Sequence, residues 1–177
     1  RHLRERMMQG ERVLVLGGGL IGTEIAHDLA VAGKQVSVCD PSSQLLASLL
    51  PEFAAQRLAE TLQTLSCDLL LNNTLEMLQR LPHGVRATFT NGDAREFDHV
   101  ICAAGLRPNS ELAAQAGLNV ERGIVVDSQL RTSDPYIYAL GDVAQIDGRL
   151  WPFLQPISQC AAALAKTIAG EPTHVTL

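Results

Sequence analysis

The chain has 177 residues, 46% hydrophobic and 19% charged, a balance that suits one globular domain or two small ones and excludes a disordered or collagen-like chain. A formal charge of −5 and a pI near 5.5 provide no field for wrapping nucleic acid or anionic lipid. No uninterrupted apolar run reaches the roughly 18 residues of a membrane-spanning helix, so neither nucleic acid nor membrane is an expected partner.

Arg1, Arg4, Arg6 and Arg12 crowd the N-terminus and read as a solvated helix face, with residues 1–10 as a lead-in helix or linker. The chain opens at Arg1 without a signal-like apolar segment and reads as a fragment. Residues 13–16 form a continuous apolar run that stops at Gly17, the pattern of a strand buried on both faces of a parallel sheet. Ile21, Ile25, Ala26, Leu29 and Ala30 then recur at helical spacing, with Gly33 as a C-terminal cap. A second strand over residues 35–39 completes a βαβ unit.

Pro51 opens a second helix carrying Ala55, Leu58, Ala59, Leu62 and Leu65 on one side, followed by a third parallel strand over residues 67–71. Residues 75–81, 85–90 and 94–97 alternate and are separated by Pro82-His83-Gly84 and Asn91-Gly92, which predicts an antiparallel meander. Residues 100–104 return to the parallel sheet and end at Gly105. Beyond Asn109 the pattern predicts a short helix over 111–116, strands over 124–126 and 137–140, and a last helix over 156–169. That helix carries Ile157, Ala161, Leu164, Ala165 and Ile168 on one face and ends at Gly170.

Cys39, Cys67, Cys102 and Cys160 show neither a CxxC pair nor zinc-ligand spacing, so a reducing, cytoplasmic setting is expected. Cys39, Cys67 and Cys102 read as small buried hydrophobes. His27, His83 and His99 read as surface or structural. No His/Asp/Ser or Cys/His constellation stands out, and neither a catalytic residue nor a metal ligand is assigned.

The chemistry concentrates in Gly17-Gly18-Gly19-Leu20-Ile21-Gly22, a G-x-G-x-x-G loop with a buried strand before it and an amphipathic helix after it. Gly17 permits the tight turn, Gly19 lets backbone approach a pyrophosphate, and Gly22 lets helix pack on strand, with phosphates at the positive helix end. Asp40 ends the second strand about 20 residues on, where a carboxylate holds both ribose hydroxyls and repels a 2′-phosphate, so NAD is favoured over NADP. Glu24, in the first helical turn, is either a macrodipole partner or a contact to the nicotinamide end.

Over residues 12–170 the sequence resembles the pyridine nucleotide-disulfide oxidoreductase superfamily. The likeness is carried by the loop at Gly17 to Gly22 with Glu24, by Ala103-Ala104-Gly105-Leu106-Arg107-Pro108-Asn109, and by Thr132-Ser133 followed by Ile137-Tyr138-Ala139-Leu140-Gly141-Asp142. Arg122-Gly123-Ile124-Val125-Val126-Asp127 and Pro152-Phe153-Leu154-Gln155-Pro156-Ile157 are most similar to rubredoxin and flavorubredoxin reductases. The resemblance implies an α/β, Rossmann-like NAD-binding domain over 11–107 and the returning segment of an FAD-binding domain over 108–177. It implies further that Ala104 and Gly105 lie close to NAD, that Glu24 meets the carboxamide side of the nicotinamide, and that Gly141 and Asp142 hold the ribityl chain of FAD. The start of the last helix, with Pro156, would approach the flavin's pyrimidine edge. Trp151 and Phe153 are either core or flavin neighbours.

The family's separate N-terminal G-x-G-x-x-G loop has no counterpart in this sequence, and its C-terminal domain does not follow the last helix. The chain therefore reads as the central piece of an FAD-dependent NADH oxidoreductase that passes electrons to rubredoxin or a similar small iron carrier. An NADH-linked ferredoxin or nitrite reductase component, an NADH oxidase, and a nucleotide-binding module without turnover stay open as alternatives.

Overall fold

A computed structural model describes residues 10–177; the predicted lead-in helix and the cluster Arg1, Arg4 and Arg6 lie outside the described residues. The chain divides into two compact units, the first ending at Gly105 and the second beginning at Leu106.

In the first unit, β1 (Arg12–Leu16), α1 (Leu20–Val31), β2 (Gln35–Asp40), α2 (Glu52–Thr64) and β3 (Cys67–Leu71) follow one another, then the meander β4 (Leu75–Arg80), β5 (Val85–Phe89) and β6 (Ala94–Phe97), then β7 (His99–Cys102). The parallel sheet has the order β3-β2-β1-β7, and the meander is a separate antiparallel sheet ordered β4-β5-β6. Val13, Leu14 and Val15 are all fully buried because the sheet is covered on both sides. Val13, Val15, Val36 and Val38 pack with Ala26, Ala30 and Leu62 of the helices. Leu14, Cys39 and Leu70 pack with Ala87, Phe89 and Phe97 of the meander. A strand side chain alternates faces with period two, so only apolar residues at every position satisfy both neighbours.

Several particulars depart from the sequence reading. Arg12 is the first residue of β1 and not part of a helix face; its guanidinium pairs with Asp98 at 3.2 Å. Strand β7 ends at Cys102, before Ala103 and Ala104. Cys102 is exposed while Cys39, Cys67 and Cys160 are buried, because it lies where the strand leaves the sheet. Ile21 is exposed although it shares the helical period of α1, since Gly22, Thr23, Ala26 and Ala30 form the buried line. Gly33 caps α1 as expected, with φ +81° and N–H groups of Gly33 and Lys34 donating to Ala30 and Leu29 carbonyls.

The second unit contains α3 (Glu111–Gln115), β8 (Ile124–Val126), β9 (Ala144–Ile146), β10 (Arg149–Leu150) and α4 (Leu154–Ile168), with sheet order β10-β9-β8. The predicted strand over 137–140 does not form. Tyr138 makes only an isolated bridge to Arg131, because Asp134 turns the chain by accepting the Tyr136 N–H and the segment folds back on Leu130 and Thr132. The strand parallel to β8 is β9, whose middle residue is the buried Gln145. Its Oε1 accepts N–H bonds from Arg122 and Gly123, and its Nε2 donates to Glu121, so a polar side chain is satisfied inside a buried strand. Helix α4 buries Cys160, Ala163 and Leu164 and leaves Ala161, Ala165 and Ile168 exposed. Trp151 packs on this unit's core, which contains Val126, Leu130, Ile146 and Leu164.

Candidate nucleotide-binding site

The site assembles where β1, β2 and β7 end. Strand β1 lies between β2 and β7 in the sheet, so its C-terminal edge is the point at which successive connections depart to opposite sides, the usual crevice of an open parallel sheet. At that edge the chain turns at Gly17, whose φ of +107° suits glycine and whose N–H donates to Cys39 O at 2.8 Å. A Cβ there would lie 2.4 Å from Ala103 O. A Cβ on Gly22, in the first turn of α1, would lie 1.9 Å from Gly17 O, so the helix approaches the strand this closely only without a side chain. Gly19 is different: it is the N-cap of α1, in extended backbone, and a Cβ there would meet nothing within 4 Å. That open face adjoins the N–H groups of Leu20 and Ile21, which as first residues of a helix have no intrahelical acceptor, and the positive end of the α1 dipole.

Asp40, the half-buried last residue of β2, turns its carboxylate onto this loop. Its Oδ2 accepts the Gly18 N–H at 2.6 Å and its Oδ1 accepts the Ser42 N–H at 2.7 Å. Each oxygen retains a second lone pair, so the carboxylate is oriented by backbone and still has acceptor capacity for hydroxyl groups. No Lys or Arg occurs between Asp40 and Arg57, which leaves this segment without a cation for an additional phosphate. Ala103 follows β7 and donates to Leu16 O at 2.7 Å, after which Ala104 and Gly105 are exposed. Glu24 is exposed and lies one turn into α1, not in its first turn, too far along the helix to serve as a cap.

In the second unit, Gly141 has φ +86° and Asp142 stands exposed on the turn before β9. The Asp142 carboxylate accepts no hydrogen bond from a described residue. Pro156 is half-buried in the first turn of α4, and the N-cap Phe153 supplies no side-chain bond to that helix end. Trp151 Nε1 is buried without a partner among the described residues.

Burial raises the thiols of Cys39 and Cys160 and pushes Cys67 up to about 11, with neighbouring Asp40 and Asp68 adding to the rise at Cys39 and Cys67. These three side chains are packing groups. Among the described residues no three His, Cys, Asp or Glu side chains are grouped to hold a metal ion, and no helix is long and apolar enough to cross a membrane. A groove of about 470 Å³ lies beside Arg12, Gln35, Asp68, Arg95 and Glu96, at the opposite, N-terminal ends of the strands. Its charges are already paired, Arg12 with Asp98 and Arg95 with Asp68.

Sequence reasoning did not single out Thr23, Ser42, Leu45 or Leu46, all of which touch the glycine loop or its carboxylate. The position of Ser42, two residues after an aspartate, was the one local signal, since an aspartate readily accepts from the N–H two residues on.

A parallel sheet with a glycine turn and a strand-end carboxylate at its switch point defines a Rossmann-like α/β protein. The chain matches the pyridine nucleotide-disulphide oxidoreductase family over residues 1–166, and it belongs to that family. It is 51% identical over 173 residues to the nitric oxide reductase FlRd-NAD(+) reductase of Vibrio vulnificus, covering 97% of this chain and 45% of that protein. The protein of the same name from Pectobacterium atrosepticum is 49% identical over 172 residues, with the same shares covered. The chain thus spans about half the length of the curated relatives it matches. Among solved structures, a ferredoxin reductase from Rhodopseudomonas palustris superposes with a TM-score of 0.93 at 27% identity, covering 99% of this chain and 45% of that one. A putidaredoxin reductase in covalent complex with putidaredoxin superposes with a TM-score of 0.91 at 25% identity, covering 98% and 44%.

Proposed function

We propose that this chain is the NADH-binding part of a cytoplasmic flavoprotein reductase that passes electrons from NADH through FAD to rubredoxin or a similar small iron carrier. The observation that carries the reading is the open face at Gly19 between the helix N-terminus and the Asp40 carboxylate. A pyrophosphate fits there: the N–H groups of Gly19, Leu20 and Ile21 serve as donors, and Gly17 and Gly22 give the loop its shape. Gly18 lends its backbone to the Asp40 carboxylate, whose remaining lone pairs accept the two adenosine ribose hydroxyls. Glu24, Ala104 and Gly105 border the nicotinamide end.

In the second unit, Gly141 and Asp142 are assigned to the ribityl and phosphate region of FAD, and Pro156 with the first turn of α4 to its pyrimidine edge. The exposed Asp142 carboxylate, which accepts no hydrogen bond from a described residue, supports this role, and the start of α4, without a side-chain cap, favours negative charge at that helix end. These residues account for one edge of a flavin site. Bound FAD would supply hydride acceptance and release of electrons one at a time. The chain's own side chains then need only bind and orient, with no acid, base or nucleophile. The acceptor is read as a rubredoxin-type protein because relatives near 50% identity are named FlRd-NAD(+) reductases, whereas the ferredoxin reductase stands at 27%.

Calorimetric titration with NADH and NADPH, together with a visible spectrum of the purified chain, tests the reading. NADH should bind more tightly than NADPH. Asp40→Asn, which keeps one oxygen for the loop but removes the charge, should weaken NADH about tenfold, the worth of a charged hydrogen bond, and narrow the preference. Equal losses for both nucleotides would sink the ribose assignment. A flavin spectrum would support turnover by this chain, and a colourless protein that binds NADH would favour the binding module.

A further inference from the structure

The glycine loop is held from a side that the dinucleotide fingerprint does not include. The peptide groups of Gly18 are consumed within the protein: its N–H donates to Asp40, and its carbonyl accepts the Leu46 N–H at 2.8 Å and the Thr23 hydroxyl at 3.2 Å. Beneath it Leu45 is fully buried, and its Cδ2 would lie 2.9 Å from a Cβ placed on residue 18. The segment that supplies Leu45 and Leu46 is itself anchored at both ends. Asp40 Oδ1 holds the Ser42 N–H, the Ser42 carbonyl accepts the Asn72 N–H at 2.9 Å, and Gln44 Nε2 donates to Leu50 O at 3.0 Å. Leu46 takes a φ of +51° to aim its N–H at Gly18, a conformation that a leucine adopts only when its surroundings impose it.

We propose that Leu45 and the Leu46 peptide are positioning elements of the nucleotide site, which fix Gly18 and thereby set the Gly19 to Ile21 N–H groups for a pyrophosphate. Three consecutive glycines lose more backbone freedom on ordering than any other tripeptide. A loop left free would lose that freedom when the nucleotide binds. A loop clamped through Gly18 has lost it already on folding, which preserves affinity by preorganisation. The inference rests on the dinucleotide reading of the site.

The experiment measures the Kd of NADH and of ADP-ribose for the wild-type chain and for Leu45→Ala, Leu45→Met, Thr23→Val and Leu62→Ala, with circular dichroism and Tm as checks of fold. Leu45→Ala should raise both Kd values by the same factor, roughly five- to tenfold, and the volume-conserving Leu45→Met should restore them. Thr23→Val, which keeps the shape and loses one bond to Gly18, should raise both about threefold. Leu62→Ala removes a fully buried side chain elsewhere in the same core; it should lower Tm and leave both Kd values unchanged. Wild-type affinity in folded Leu45→Ala and Thr23→Val would overturn the positioning role, as would a loss in Leu62→Ala equal to that in Leu45→Ala. A wild-type chain that binds neither ligand would instead overturn the dinucleotide reading on which the role depends.

Discussion

Gly19 and Gly22 are three residues apart in one loop, yet they are glycine for opposite reasons. A side chain on Gly22 would run into the Gly17 carbonyl, whereas one on Gly19 would enter empty space. Gly22→Ala should therefore destabilise the fold by about 2–3 kcal/mol or more through overpacking against backbone, lowering the midpoint of denaturant unfolding. Gly19→Val should lower the unfolding free energy by no more than about 1 kcal/mol, the cost of a β-branched N-cap, and abolish measurable NADH binding by filling the proposed pyrophosphate position. Unchanged NADH affinity in folded Gly19→Val would contradict the assignment of the loop. The distinction was foreshadowed in the G-x-G-x-x-G spacing, because each position of that pattern has its own steric cause. The double engagement of Asp40 was not, since its partners Gly18 and Ser42 are brought to it only by the turn that follows β2.

At the scale of elements, Asp98 sets where β1 begins. Its Oδ2 accepts the N–H groups of Glu11 and Arg12 at 2.8 and 2.9 Å, its Oδ1 meets the Arg12 guanidinium, and its own N–H donates to Arg12 O. The two backbone bonds, ahead of the Arg12 side chain, pull its carboxyl from 3.8 down to about 2. A carboxyl whose folded value lies below its unfolded one stabilises the fold at pH above the unfolded value and loses that contribution as pH falls through the folded one. The stability advantage of wild type over Asp98→Asn should thus be full above pH 4, about 1 kcal/mol after screening by solvent, and should vanish as pH falls toward 2. Urea midpoints across that range check it; an advantage independent of pH would show that the carboxylate charge has no part in it. Period-two and period-three-to-four patterns made most elements legible. They failed at residues 137–140, where Asp134 supplies a competing turn, and at β9, where a satisfied Gln145 interrupts the apolar run. In α4, alanines on two sides leave the period without a unique face.

Across the whole molecule, the cysteines report burial in both units. Cys39 and Cys67 lie in the cores of the first unit and Cys160 in that of the second, whereas Cys102 is exposed. A thiol reagent at pH 8 should modify one cysteine per native chain within minutes, identified as Cys102 by mass mapping. The other three should react only as denaturant opens each core, because burial keeps them as protonated thiols. Rapid native labelling of Cys39 or Cys67 would mean that the sheet is not covered on both faces. The amino-acid sequence by itself determined the βαβ order, the glycine loop, the acid at the end of β2 and the antiparallel meander, because each is a local rule of backbone sterics and alternating burial. Only the tertiary structure decided that the meander covers one face of the parallel sheet, that Gly18 is clamped by Leu45 and Leu46, and which face of α4 is buried. Those outcomes depend on contacts between residues distant in sequence, for which local periodicity carries no information.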